Sequence, residues 1–328
     1  MGGALYHQPV GEFFSAFENT GQHMNRSTKA LYLGLVTLAC LFFGSGLVRA
    51  DTIYVSSFSN NTIEVFNSSG QGSVFANTGL SGPAGVAFDS NGNLFVANYN
   101  SNTVEKIDPS GHASVFVSSG LQHPTGLAFD GNGNLYVANS SNGFFQTGSV
   151  LKFNASGQLS SIFATALNNP RGLAFDSSGN LYVANLGNST IEKVDASGHG
   201  SGFASTDGSP WGLAFDKGGN LYVSSLGDNT VEKFDSSGLG SAFASSGLSE
   251  PTGLAFDSSG NLYVANLGNS TIEKYDSNGN GTVFADASSG LSAPAFLAVQ
   301  VPEPSTWTLV TLGAVALLGS RRLRRRPS

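Results

Sequence analysis

A block of about 41 residues recurs along this chain, and it constrains the fold more than any other feature. It reads P-x-G-[LV]-A-F-D-x-x-G-N-L-[YF]-V-[AS]-[NS], then N-T-[IV]-E-K-x-D, then S-G, then F-[AV]. Its proline falls at Pro83, Pro124, Pro170, Pro210 and Pro251, with a worn copy at Pro294, at spacings of 41, 46, 40, 41 and 43. A unit this short, made only of strands and turns, cannot bury both of its faces alone. Its copies must stack on one another, and a period near 40 of short strands points to a β-propeller.

Each copy parses into four strands. In the copy at Pro170 they are 172–175, 180–184, 190–194 and 201–204. The first two are apolar on both faces, as strands sandwiched between neighbouring blades must be. The third mixes Ile and Val with Glu and Lys, which suits a strand nearer solvent. Its recurring glutamates, Glu64, Glu105, Glu192, Glu232 and Glu273, therefore read as a solvated face. Asp-x-x-Gly-Asn between the first two strands is turn chemistry, because Gly takes positive φ and the Asp carboxylate accepts nearby backbone N–H groups.

The two ends of the array are out of phase. The segment starting at Asp51 begins with a second strand (53–55), then a third (62–65) and a fourth (74–76). The missing first strand reappears at 295–299. The expected fold is all-β: a six-bladed propeller of four-stranded blades over 51–300, with a C-terminal strand completing the first blade. That arrangement removes the open edge that invites aggregation.

The flanks carry targeting features. Residues 24–50 read as a signal peptide, with a basic start at 24–29, an apolar run over 30–46, and Val48-Arg49-Ala50 ahead of a cut before Asp51. Residues 1–23 precede that signal and read as a non-native or unstructured extension. The single cysteine, Cys40, lies in the apolar run, so 51–300 has neither a disulfide nor thiol chemistry. That globular stretch holds 7 basic and 19 acidic side chains, a net of −12. A domain this acidic repels phosphate backbones, which excludes nucleic acid as a partner.

The repeats resemble NHL repeats, within the wider six-bladed group that includes gluconolactonase-like proteins. Residues 301–328 resemble the PEP-CTERM sorting signal. Val301-Pro302-Glu303-Pro304 is followed by an apolar run at 307–319, and then by Arg321, Arg322, Arg324, Arg325 and Arg326. The resemblance implies a short transmembrane helix with cytoplasmic arginines and handling by signal peptidase and an exosortase in a Gram-negative bacterium. It implies an inner-membrane-anchored intermediate, then delivery to the cell surface or an exopolysaccharide matrix.

Chain direction sorts the turns onto two faces. One carries monotonous Asp/Ser/Gly/Asn turns, and the other is where the copies differ, so a binding site belongs on the second. There, the residue after each proline is Ala84, Thr125, Arg171, Trp211, Thr252 and Ala295. Arg171 is the only arginine of 51–300 and Trp211 its only tryptophan. An indole stacks on a sugar ring and a guanidinium grips a carboxylate, so the pair suits an acidic polysaccharide.

The long spacing places extra residues at 139–149, including Phe144 and Phe145, which extend a groove or cover their own loop. Residues ending the second strands, Ser57, Asn98, Asn139, Asn185, Ser225 and Asn266, either line the mouth with amides or cap the turns that follow. Gluconolactonase-like enzymes hold a divalent ion with Glu, Asn and Asp ligands. The nearest match here is Glu250 with Asn266, a weak metal candidate, with His123 expected across the mouth. Asp276-x-Asn278-x-Asn280-Gly281 opens like a calcium loop, but position twelve is Ala287 and the stretch coincides with an ordinary turn of the repeat.

The sequence therefore points to a non-enzymatic binding or structural module of the envelope, without a cofactor, acting on polysaccharide or an envelope protein. The alternatives are a metal-dependent hydrolase or lyase of the gluconolactonase-like group, and a protein–protein interaction scaffold.

Overall fold

The computed structural model describes residues 51–140 and 147–301. Residues 1–23, the signal segment 24–50, Phe144, Phe145, and the sorting segment from Pro302 through the arginines lie outside the described residues. Among those described, no helix is long and apolar enough to cross a membrane.

Six four-stranded antiparallel sheets form six blades. Blade 2 runs Pro83–Phe88, Leu94–Asn98, Thr103–Ile107 and Ala113–Val117 from its inner strand to its outer strand. Blades 3 to 6 repeat this order from Pro124, Pro170, Pro210 and Pro251. Blade 1 takes its outer three strands from Thr52–Ser57, Thr62–Phe66 and Gly72–Ala76, and its inner strand from Pro294–Gln300. Val55 faces Leu297 and Thr52 faces Gln300, so the ring closes with backbone hydrogen bonds between the two ends of the array.

The inner strand starts with a bulge. In blade 4, Pro170 pairs with Asn185, but the next regular pair is Leu173 with Val183. Blades 2, 3, 5 and 6 show the same slip. The slip frees the two residues after the proline to face the next blade instead of their own sheet. The glycine of P-x-G sits where blades come closest. A Cβ on Gly85, Gly126, Gly172 or Gly212 would run into a backbone carbonyl oxygen of the following inner strand. Blade 1 carries Phe296 at this place, at the seam where the ring closes.

The second strand is the core. Leu94–Asn98 and its equivalents are buried almost throughout. Its aromatic residue packs edge-on against two phenylalanines, one from its own outer strand and one from the next inner strand. Tyr182 lies between Phe203 and Phe215, with ring centres 4.9 and 5.0 Å away. Tyr54, Phe95, Tyr136 and Tyr222 repeat the arrangement. At the seam Tyr263 keeps Phe284 but has Val299 in the third place. Such pairs contribute about 0.5–1.5 kcal/mol each beyond the area they bury. They recur at the blade junctions, so the fold is held between blades as much as within them.

The third strand departs from expectation. Glu64, Glu105 and Glu273 are buried, and Glu192 and Glu232 are half-buried. They are not a solvated face. The link leading into each blade folds over that blade's glutamate: Gly79 lies on Glu105, Gly247 on Glu273 and Gly290 on Glu64. Desolvation raises the pKa of all five carboxyls, and at Glu232 the negative charges of Asp207 and Asp228 add to the effect. The lysines of this strand, next to a glutamate or, in blade 3, to Leu151, point the other way. Lys152, Lys193, Lys233 and Lys274 each lie over the tyrosine of the second strand and reach the Asp of the Asp-x-x-Gly-Asn turn. The strand that meets solvent is the fourth, which exposes Val74, Val115, Ile162 and Val283.

Candidate functional site at the channel mouth

The turns sort onto two faces as chain direction requires. On one face each Asp-x-x-Gly-Asn turn is closed by its own carboxylate. Asp176 Oδ1 accepts the N–H groups of Ser178 and Asn180, and its Oδ2 accepts the Asn180 amide. The calcium-like stretch does the same: Asp276 accepts from Asn278 and Asn280, as an ordinary turn of the repeat would.

On the other face, the residue after the second strand bonds to the link before an inner strand. Tyr99 N–H donates to Gly82, Leu186 to Asn169, Leu226 to Ser209 and Leu267 to Glu250. Blades are also latched to their neighbours here. Asn61 Oδ1 accepts from Gly82 N–H, Asn102 Oδ1 from His123 N–H, and Asn229 Oδ1 from Glu250 N–H. Each of these asparagines takes positive φ, which asparagine tolerates better than most residues.

In blades 3, 4 and 6 the side chain after the proline leans over the following blade. Thr125 and Thr252 are fully buried, and their hydroxyls donate to the carbonyls of Pro170 and Pro294 in the blades ahead. At the same place Arg171 reaches toward blade 5. Its guanidinium carbon lies 4.6 Å from the centre of the Trp211 ring. Arg171 is only 7% exposed, whereas Trp211 is half-buried.

The structure adds a residue that sequence did not single out. Tyr99, from blade 2, comes within 6.0 Å of the Arg171 guanidinium in blade 4. It passes blade 3 to do so, which only a side chain lying over the mouth of the channel can achieve. Tyr99 also packs on His123, ring centres 4.5 Å apart, and on Phe58 of blade 1 at 6.0 Å. Five successive blades thus contribute Phe58, Tyr99, His123, Arg171 and Trp211 to one cluster. The sequence does hold a signal for it. The position after the second strand is Phe58, Tyr99, Ser140, Leu186, Leu226 and Leu267, so two neighbouring copies carry aromatics there.

The electrostatics of this cluster are unusual. Burial pulls the Arg171 guanidinium below its ordinary pKa, with the Tyr99 hydroxyl acting in the opposite direction. No carboxylate among the described residues pairs with it. Arg171 Nε and Trp211 Nε1 are buried and have no hydrogen-bond partner among those residues.

The remaining candidates are placed as follows. Asn139 Oδ1 accepts from Gln122 N–H. Asn185 accepts from Asn168 N–H and donates to Glu192. Asn266 is fully buried, accepting from Ser249 N–H and donating to Gly247 and Thr271. These amides hold the turns beside the second strands, one of the two roles the sequence offers them. Glu250 is exposed beside Asn266 with φ +49. Among the described residues no three of His, Cys, Asp and Glu are placed to hold a metal ion.

Comparisons with known proteins agree with this architecture. The SMP-30/Gluconolactonase/LRE-like region matches residues 48–141, the NHL repeat matches 167–193 and 248–275, and the PEP-CTERM protein-sorting motif matches 300–326. No curated protein sequence matches the chain at a significant level. Among solved structures, a chain of the nidogen/laminin complex superimposes with a TM-score of 0.65 at 18% identity, covering 76% of this chain and 98% of its own. A gluconolactonase from Xanthomonas campestris gives 0.57 at 23% identity, covering 66% of this chain and 79% of its own. Virginiamycin B lyase from Staphylococcus aureus gives 0.55 at 16%, covering 71% and 80%. At these identities the likeness concerns the fold alone. The chain is a six-bladed β-propeller in which residues 167–193 and 248–275 match the NHL repeat, and it carries a PEP-CTERM protein-sorting motif at 300–326.

Proposed function

We propose that the protein is an exported, surface-displayed propeller acting as a non-enzymatic binding module of the cell envelope or exopolysaccharide matrix, with its site at the channel mouth. The sorting motif supports export by the exosortase route. The observation that carries the binding reading is the mouth cluster, where Arg171 and Trp211 are stacked and hold buried donors without partners. Those donors stand on the face where the blades differ, while the opposite face repeats the Asp-x-x-Gly-Asn turn five times over with small changes. Polar residues converging on the axis, which a hydrolase or lyase needs, are few.

The test is binding of the purified protein to exopolysaccharide and to a panel of acidic and neutral glycans, beside Trp211→Ala. Saturable binding lost in the variant supports the proposal. Turnover of a lactone that depends on an added divalent ion would replace it with the metal-dependent hydrolase reading.

A further inference from the structure

The mouth contains a buried positive charge with no negative partner. Arg171 is more than nine-tenths buried. No described carboxylate pairs with it, and 141–146, Ser-Asn-Gly-Phe-Phe-Gln, supplies no acidic side chain. A guanidinium taken from water loses more hydration than contact with aromatic rings restores. The hydrogen bonding is equally incomplete. Four buried side-chain polar atoms have no partner among the described residues, and two of them are Arg171 Nε and Trp211 Nε1. Both are donors, and they belong to side chains that touch. One unopposed cation and two adjoining N–H donors together call for an anionic acceptor.

We infer that the channel mouth binds a carboxylate-bearing sugar. The carboxylate accepts from Arg171 Nε and Trp211 Nε1, and the sugar ring packs against the half-buried rims of Tyr99, His123 and Trp211. A single carboxylate matches a single guanidinium. A doubly charged phosphate meets a domain whose net charge is −12, which repels the second charge. The aromatic walls suit the apolar C–H face of a sugar. The inference rests on the reading of the mouth as a ligand site and names what that site selects.

The test is calorimetric titration of the full chain in mild detergent with three probes: an oligogalacturonide, the same oligomer with its carboxyls reduced, and a sulfated neutral glycan. The oligogalacturonide is expected to bind saturably and about tenfold or more tighter than the reduced oligomer, as one lost charge-assisted contact implies. Trp211→Phe keeps the ring and removes the donor, and should shrink that preference. Arg171→Gln should abolish it. The wild-type affinity for the oligogalacturonide should fall with added salt while that for the reduced oligomer does not, a readout that needs no variant to fold. Equal binding of the acidic and reduced oligomers, or preference for the sulfated glycan alone, overturns the carboxylate assignment and leaves a glycan site at the mouth. Absence of binding, or binding unmoved by Tyr99→Ala, Arg171→Gln and Trp211→Phe alike, overturns both.

Discussion

The Arg171 guanidinium lies face-on to the indole of Trp211, 4.6 Å from ring centre, and the two side chains come from equivalent positions in adjacent blades. Their contact follows from the inner-strand bulge. The slip after each proline turns the next side chain toward the blade ahead, and at blades 4 and 5 that side chain is large enough to meet its counterpart.

Arg171 is buried without an ion pair among the described residues, an arrangement that costs stability. Arg171→Met removes an unpaired buried charge and keeps an unbranched chain against the indole. The variant is expected to melt about 2–4 °C higher, a gain near 1 kcal/mol for a domain of this size. Scanning calorimetry without ligand decides the point. A fall in melting temperature would mean that contacts with Tyr99 and Trp211 outweigh the cost of burying the charge.

Gly172→Ala tests the spacing of the blades. The added Cβ meets the carbonyl oxygen of Trp211, a backbone atom that cannot move without shifting blade 5. A loss of about 2–3 kcal/mol is expected in urea unfolding, in the range of overpacked interiors. The same substitution at Gly179 meets nothing within 4 Å, so it isolates the cost of its positive φ.

The buried glutamates make stability fall with rising pH. A carboxyl whose pKa is raised in the folded state favours the protonated form. Its contribution is complete below the unfolded value, near 4.3, and is lost as pH rises through the folded one. Glu105→Gln should therefore raise the melting temperature at pH 7.5 and leave it nearly unchanged at pH 4. The turn aspartates act in the opposite sense. Hydrogen bonds from Asn180 and Ser178, together with Lys193, hold Asp176 below its usual range despite burial, so its contribution fades as pH falls below about 4. Melting curves from pH 3 to 9 should peak under mildly acidic conditions, and a flat profile would contradict both assignments.

Tyr182→Leu probes the aromatic junctions. It replaces the ring held between Phe203 and Phe215 and the surface under Lys193. A loss of about 2–4 kcal/mol is expected, within the range for emptying part of a core site. The equivalent change at Tyr263, where Val299 stands in place of a third ring, should be milder.

The fold was legible because the P-x-G and Asp-x-x-Gly-Asn signals recur in nearly every copy, and even the seam could be read from the orphan strand at 295–299. The glutamates were misread for a physical reason. Glu105 sits beside Lys106 on a strand of alternating faces, and sequence cannot show that the link at Gly79 closes over one of those faces. Arg171 and Trp211 stood out by their rarity. Tyr99 did not, because its partner lies two blades and 72 residues away, and only the curvature of the ring brings them together.

The pairing of Thr52 with Gln300 has a consequence for how the molecule is held. Both residues lie at the end of blade 1 where Asp51 accepts from Ser258 N–H and Tyr54 bonds to Gln300, on the side of the uniform turns. The polypeptide thus enters and leaves the disc at a single pole. The cluster of Phe58, Tyr99, His123, Arg171 and Trp211 lies at the other pole, so the face where the blades differ is left clear of both chain ends.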